Sequence, residues 1–485
     1  MYRILNVLHL MGGIIAMFGL SLLAPIAASF YLEDGALSAY DEAFVICLGG
    51  GLLLWLATHR FRRELNSRDG FLLVVMTWVG LPAIAMLPLY LLIPGLSLTG
   101  AYFEATSGLT ATGATVLSGL DALPFSLNLW RVVLHWIGGL GIIVLAVAIL
   151  PMLGIGGRQL YRAEVPGPFK DAKLTPRITE TAKGFWQIYI VFTIACTLAF
   201  RVCGMGWQDA VIHALSTMSL GGFSSHDASF GYFDSLLLEA VAMAFMIIAG
   251  ISYVTHFSAL RGRSLAAYLR APEARLFVAA LFLSGLGLGV FLWLNGVYDS
   301  FLTALRYSMF NTFSVATTLG FSNTDYGLWP IFAPLWMLLL GAFATCSGSS
   351  GGGIKMIRVL LMAKQMLREL TILLHPNAVT PFKVGDQIVP NKVVFAVLAF
   401  MSFYGMSILA MVLLFTLSGL DLLTSLSAAV ACINNIGPGL NLVGPATTFA
   451  SLTDFQLWLC SFAMLLGRLE LVTLFVVLTP TFWKE

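Results

Sequence analysis

The stretch Phe103–Gly119 reads "FEATSGLTATGATVLSG", and more than half of it is Gly, Ser or Thr. It stands between two strongly apolar runs, is too apolar for an ordinary loop, and is too short to cross a bilayer twice. Three further stretches can be laid over it: "IHALSTMSLGGFSSHD" (212–227), "FNTFSVATTLGFSNTD" (310–325) and "SAAVACINNIGPGLNL" (427–442). Registered on one glycine they align Gly113, Gly222, Gly320 and Gly437, separated by 109, 98 and 117 residues. Three residues before each glycine stand Thr110, Ser219, Thr317 and Asn434. The second and third copies also share "GFS", followed after two residues by Asp. A period near one hundred residues marks a repeated structural unit of span, half-helix, small-polar turn and span.

The rest of the chain says where such units sit. It has 485 residues, 59% hydrophobic and 10% charged, with a mean hydropathy of +0.89. That balance excludes a soluble globular protein and predicts a polytopic membrane protein. Ten apolar runs are long enough to span, at about 9–30, 43–58, 71–94, 128–154, 185–204, 235–259, 276–295, 331–373, 392–417 and 455–480. Their density, without alternating ten-residue segments, predicts helices rather than a barrel. The first run follows Arg3 and is longer than a typical signal-peptide core, so it is read as a span.

With both termini cytoplasmic, 22 of the 26 Lys and Arg fall inside, and Arg131, Arg201, Arg306 and Arg468 are the exceptions. Six cysteines and seven histidines show no metal-ligand spacing, and the cysteines read as packing residues.

Non-helical backbone at membrane depth is tolerated only where it is buried in protein or faces water. Four such segments most economically share one water-filled axis, rather than capping helix ends separately. Glycine can take φ > 0, so successive carbonyls can turn toward the same point. A ring of carbonyls replaces the hydration shell of a monovalent cation without a fixed carboxylate to hold a divalent one. Half-helices ending at the ring add their partially negative C-termini.

On these segments the chain resembles the TrkH-type membrane subunits of the Trk/Ktr/HKT potassium-transport superfamily. The resemblance runs over essentially the whole chain. It implies an all-α protein with two extra N-terminal spans (1–69) and four span–pore helix–filter–span repeats around one pore per subunit. The repeats would occupy 70–157, 158–260, 261–375 and 376–485. The selectivity filter would consist of Thr110, Ala111, Thr112 and Gly113; Ser219, Leu220, Gly221 and Gly222; Thr317, Thr318, Leu319 and Gly320; and Asn434, Asn435, Ile436 and Gly437. The fourth copy departs furthest, with Asn434 in place of the hydroxyl and Pro438 after the glycine. One filter glycine per copy means fewer stacked oxygen layers than in potassium channels, and weaker discrimination of potassium from sodium.

A second feature is "TCSGSSGGGIK", Thr345–Lys355, inside the run at 331–373. From Ile331 to Ala344 the span has only about fourteen residues, roughly 21 Å of helix, against a hydrocarbon core of roughly 30 Å. The break therefore falls within the membrane. A phosphate loop requires Lys directly after the last Gly and a strand before it; Ile354 intervenes here. An intramembrane serine protease built on Ser350 would want a histidine on a later span, and only His375 follows. The family resemblance implies instead a gating loop below the filter, made of Cys346, Ser347, Gly348, Ser349, Ser350, Gly351, Gly352 and Gly353. A kink that merely improves packing is the plain alternative.

Arg468, within the last run, costs at least ~2.5–3.5 kcal/mol if it faces lipid. It is expected to face the bundle interior or to snorkel, and to bond another span's carbonyls, since Glu470 lies on the far side of its helix; an interhelical Arg with no role in permeation is the plain alternative. The resemblance places this charge near the gating loop. The basic linker 158–183 either docks a partner or is a solvated loop. His226 and Asp227 stand where an outer vestibule would be.

The expected function is uptake of potassium and rubidium across a bacterial inner membrane, gated from the cytoplasm. The resemblance implies a homodimer surrounded by lipid and a cytosolic TrkA-like ring that binds ATP or NAD. No cofactor in this chain and no nucleic acid are expected. Sodium- or proton-coupled symport is the alternative within transport, and the serine protease is the alternative from another class.

Overall fold

The computed structural model describes residues 2–63, 65–141, 178–377, 383–384 and 387–484. The first long apolar segment starts at Tyr2, earlier than the run at 9–30 suggests. Helix α1 (Tyr2–Gly19) passes through a 3-10 turn into α2 (Leu23–Leu32) and returns as α3 (Leu37–Ala57). The α1–α3 crossing is close because both helices present small residues. A Cβ on Gly12 would sit 2.6 Å from the Trp55 amide, and one on Gly51 would sit 2.6 Å from that of Ala16.

Four units of one design follow. A long apolar helix leads into a short helix and a small-residue turn, and a second helix leaves the turn. The long helices are α4 (Ser67–Ala85) with its extension α5 (Leu87–Leu92), then α8 (Ile178–Val202), α13 (Pro272–Leu294) and α17 (Asn391–Leu417). The short ones are α6 (Leu98–Leu109), α9 (Trp207–Ser219), α14 (Phe301–Ala316) and α18 (Leu422–Ile433). Side-chain caps start two of these: Ser97 accepts from the Gly100 amide and Asp421 from the Thr424 amide. At 12 to 16 residues they reach only about 18–24 Å, too short to cross the bilayer. Their C-terminal halves are almost wholly buried, while Leu98, Trp207, Leu302 and Leu422 near their starts are exposed. The long helices bury one side and carry exposed leucines on the other; Leu283 on α13 is 70% exposed. That outer surface suits lipid.

The second helices differ from the continuous runs expected. Helix α7 (Phe125–Leu140) ends at Gly141, φ +85°; the rest of the run at 128–154 and the linker up to residue 177 lie outside the described residues. The run at 235–259 is two helices, α10 (Leu236–Gly250) and α11 (Tyr253–Gly262), meeting at 92°. After the five-residue α12 (Ala266–Arg270) and the third unit's α13 and α14, α15 (Phe332–Phe343) stops short and α16 (Met356–Leu374) resumes, the break expected from the sequence. The run at 455–480 is α19 (Asp454–Arg468) and α20 (Val472–Leu478), separated by Glu470 and Leu471 at φ +52° and +53°. A final turn, α21 (Pro480–Trp483), closes the chain. The one departure from an all-helical fold among the described residues is a small hairpin, β1 (Lys383–Val384) with β2 (Gln387–Ile388).

Both chain ends meet at one end of the molecule. Arg3 forms an ion pair with Asp69 (2.6 Å) at the start of α4 and donates to the Phe482 carbonyl. Arg68 donates to the Lys484 carbonyl.

Candidate functional site

The four aligned segments share one backbone conformation. Each short helix ends with a residue in the left-handed region: Ala111 (φ +52°), Leu220 (+54°), Thr318 (+65°) and Asn435 (+54°). The amides of these residues donate to Gly108, Thr217, Val315 and Cys432. The amides that follow donate to Ser107, Ser216, Ser314 and Ala431. This is the double hydrogen bond of a Schellman cap, formed four times without its usual glycine. A left-handed non-glycine residue costs roughly 1–2 kcal/mol, so the surroundings must enforce each one. The aligned glycines come two residues later with φ of +85°, +90°, +84° and +96°.

These glycines close a ring. A Cβ added to Gly113 would collide with the Gly221 carbonyl, one on Gly222 with that of Leu319, and one on Gly320 with that of Ile436. A Cβ on Gly437 would lie 2.7 Å from the Thr112 carbonyl, which returns to the start. Glycine Cα atoms and carbonyls from the four segments therefore alternate around one closed loop, in chain order. No side chain fits at these positions on either ground, φ or space.

Side chains lock neighbouring turns together. Asn435 donates to Thr112 Oγ1 (2.9 Å) across the fourth–first seam, and Thr112 Oγ1 is 2.7 Å from Thr110 Oγ1. Ser219 and Thr317 hydroxyls turn back onto their own helices. Asn434, in the copy that departs most, exchanges two hydrogen bonds with the Tyr404 hydroxyl. Its turn keeps the geometry of the others despite Pro438.

One side of the ring opens to a cavity of about 310 Å³, lined by Gly113, Gly222, Gly320 and Pro438 together with Asp227 and His226. His226 pairs with Asp121, and its Nε2 is 3.2 Å from Asp209. Burial pulls its imidazole down, but these carboxylates outweigh that and raise it above the ordinary 6.5; burial pushes Asp121 up, but His226 and the Asp227 amide outweigh that and hold it below 3.8. Asp227 accepts from the amides of Gly119 and Leu120.

The other side of the ring meets Thr345–Lys355. A Cβ on Gly352 would collide with the Asn434 carbonyl, and one on Gly351 would lie 3.1 Å from that of Thr317. The Gly352 amide donates to Thr318 Oγ1 (2.9 Å). Gly348 (φ +74°) and Gly353 (+78°) turn the chain. On the flank, Cys346 and Ser350 donate to the carbonyls of Gly250 and Ala249, and the Tyr253 amide donates to the Gly348 carbonyl. These bonds hold α10 and α11 bent against the loop. Ser349 closes locally on Cys346, and Ser347 donates to Glu273 Oε1 (2.6 Å). Ser350 Oγ is 3.1 Å from the Tyr253 hydroxyl, not beside a histidine.

Arg468 joins this assembly as expected, through carbonyls. It donates to Ser350 of the loop (3.3 Å) and to Gly138 and Gly139 (2.8 Å for the latter) at the end of α7. A cation there complements the helix C-terminus. Glu470 instead accepts from Arg358 (2.6 Å). Sequence reasoning missed Lys355, which donates to the Gly351 carbonyl, and Glu273, which also accepts from the Ile357 amide. Glu273 opens an ordinary-looking span, and nothing local marks its carboxylate for a loop over seventy residues away.

A family model described as a cation transport protein, TrkH, matches residues 38–484. The Trk system potassium uptake protein TrkH of Salmonella typhimurium is 45% identical over 478 residues, spanning 98% of this chain and 99% of that protein. Its namesake in Halomonas elongata is 45% identical over 483 residues, spanning 99% of each. The crystal structure of the potassium transporter TrkH from Vibrio parahaemolyticus superposes with a TM-score of 0.88 at 40% identity, over 99% of this chain and all of that one. These proteins are named for potassium transport, not for an enzymatic reaction.

Proposed function

Because the chain belongs to the TrkH family of cation transport proteins, whose members are transporters and not enzymes, we propose that it is the membrane subunit of a potassium uptake system. Potassium and rubidium are the cargo. The closed ring of turns is the selectivity filter, and the carbonyls of Thr112, Gly221, Leu319 and Ile436 are among its ligands. The observation that carries this reading is the cyclic order of the glycine–carbonyl contacts. Four segments about a hundred residues apart have no other evident reason to hold eight left-handed residues against one another. Dehydrated potassium is held by such backbone dipoles strongly enough to enter and weakly enough to leave.

Residues 346–353 with Arg468 form the gate in this proposal. The loop lies against the ring on the side away from the cavity, bonded by backbone and small side chains that can be exchanged at modest cost. The molecule lies in a bacterial inner membrane with both termini cytoplasmic. The four pore repeats and the two preceding spans follow the boundaries given above. A homodimer, regulated by a cytosolic TrkA-like ring that binds ATP or NAD, completes the system. Flux of potassium, rubidium and sodium into vesicles holding the purified chain, with and without an imposed proton gradient, tests the proposal. Potassium and rubidium uptake exceeding sodium, unchanged by the gradient, is expected. Uptake that requires the proton gradient or external sodium turns the reading to symport, and no cation flux overturns it.

A further inference from the structure

Behind each turn of the ring, a side chain of the preceding short helix reaches the strand that leaves it. In the first copy Glu104, nine residues before Gly113, accepts from the Thr115 hydroxyl (2.9 Å) and the Val116 amide (3.0 Å). In the second, His213 at the same register bonds the Ser224 hydroxyl (2.9 Å). In the third, Asn311 donates to Asn323 (2.6 Å). In the fourth, Ser427 accepts from the Leu440 amide (2.9 Å). The first three positions correspond; in the fourth copy that register is Ala428 and Ser427, one residue earlier, takes its place, so the chemistry falls from a carboxylate to a single hydroxyl.

The first of these braces also reaches its neighbour. Glu104 is fully buried and pairs with the equally buried Arg131 of α7 (2.9 Å). Arg131 donates onward to Thr115 Oγ1 behind the first turn (3.3 Å) and to the Ser224 carbonyl behind the second (3.2 Å). One helical turn along, His135 completes a clamp on Phe223, the residue directly after Gly222. The guanidinium carbon lies 4.2 Å from the Phe223 ring centre, and the imidazole stacks on it at 4.0 Å. A Cβ on Gly221 would run into the His135 ring, so the imidazole also supports the second turn directly.

A buried ion pair adds little net stability, because desolvation offsets its attraction; what it supplies is a defined geometry. Here the geometry is that of two strained caps, Ala111 and Leu220, and two ring carbonyls, Thr112 and Gly221. We propose that Glu104, Arg131 and the Phe223 clamp are positioning residues that set cation selectivity by holding the first two turns at one spacing. The proposal rests on the ring being the selectivity filter. It makes the filter unequally stiff, with its first and second turns cross-linked through one charged guanidinium, the fourth joined to the first by the neutral Asn435–Thr112 hydrogen bond, and the third braced by the neutral Asn311–Asn323 pair.

Vesicles holding the full-length chain, with potassium and sodium uptake measured on the same preparation, give a ratio that does not depend on how much protein folds. Arg131→Lys keeps the charge but loses the fork that spans both turns. It is expected to lower the potassium-to-sodium ratio by about tenfold, equivalent to ~1.4 kcal/mol. Phe223→Leu, which strands no charge, is expected to lower it in the same direction. Gly113→Ser is measured beside them. A wild-type ratio in Arg131→Lys overturns the proposal, provided Gly113→Ser shifts it. If Arg131→Lys does not insert, the Phe223→Leu ratio decides in its place. If Gly113→Ser leaves the ratio unchanged too, the filter reading itself fails and this inference with it.

Discussion

In the ring, Gly113, Gly222, Gly320 and Gly437 each face a backbone carbonyl of the neighbouring turn; in Thr345–Lys355, Gly351 and Gly352 face carbonyls of Thr317 and Asn434. Both regions use glycine because a backbone must approach a backbone. They differ in what holds them there. Every ring turn is capped by two backbone hydrogen bonds to its own helix and enclosed by the next turn. The loop is bonded to other elements, to α10, to Glu273 and to Arg468. A strained conformation enforced by its own helix is rigid. A segment whose outward bonds reach several separate elements can exchange them when those elements move. The comparison teaches that small residues by themselves signify neither rigidity nor motion.

The strongest way to break this contrast is to put a side chain into the ring. Gly113→Ser or Gly320→Ser meets both the left-handed backbone and a carbonyl; together these cost about 3 kcal/mol, or about a hundred-fold. Selective uptake is expected to become unselective or absent while insertion persists, as read from potassium and sodium flux against the amount of protein in the membrane. An unchanged preference in both variants would remove these glycines from the filter.

The loop should respond in the opposite direction. Deleting Gly348 to Gly352 is expected to raise potassium flux above wild type and to make it less dependent on the proposed cytosolic partner. Gly352→Ala, whose Cβ collides with the Asn434 carbonyl in the present position of the loop, should give a milder form of the same result. Flux at or below wild type from folded, membrane-inserted protein counts against a gate.

Arg468 tests whether charge or bonding keeps the loop in place. At roughly 8 Å and an effective dielectric near 20, repulsion of a passing cation is about 2 kcal/mol, some thirty-fold in rate. Arg468→Ala should raise basal flux by about that factor. Arg468→Lys keeps the charge but cannot reach Ser350, Gly138 and Gly139 together. Low flux in the Lys variant identifies electrostatics; equal flux and equal loss of stability in Lys and Ala identify a structural strut.

The smallest effect is expected at the outer cavity, where His226 faces Asp121 and Asp209, stacks on Tyr232 and lies near His213. Its raised pKa means that the contribution is full below 6.5 and fades as pH rises through the raised value. The lowered Asp121 means that it also fades as pH falls through a value under 3.8. With Asp121 about half exposed, the pair is worth under ~1 kcal/mol. His226→Gln should therefore lower the melting temperature slightly between pH 3.8 and 6.5 and hardly at all in alkali. An equal loss at every pH would show that the stacking, not the charge, matters.

Much of this was legible in the chain. Membrane residence, the register of the four glycines and the break after Phe343 all rest on local requirements: apolar length, φ > 0, and a span too short for a bilayer. The neighbouring caps were not legible as such, since Ala111, Leu220, Thr318 and Asn435 share no residue type that announces a left-handed backbone. Arg131 appeared only as a basic residue out of place, and Glu104 was not singled out at all.

Sequence alone, then, determined that the chain is a multi-pass membrane protein and which four residues must lack a side chain, because both are properties of a residue and its immediate neighbours. Tertiary structure decided the cyclic order of the turns, the bend between α10 and α11, the carbonyls that receive Arg468, and the pairing of Glu104 with Arg131. Each of these depends on groups tens to hundreds of residues apart coming within hydrogen-bond reach. A buried donor or charge takes whichever partner packing brings close, and no local pattern in the chain encodes that choice.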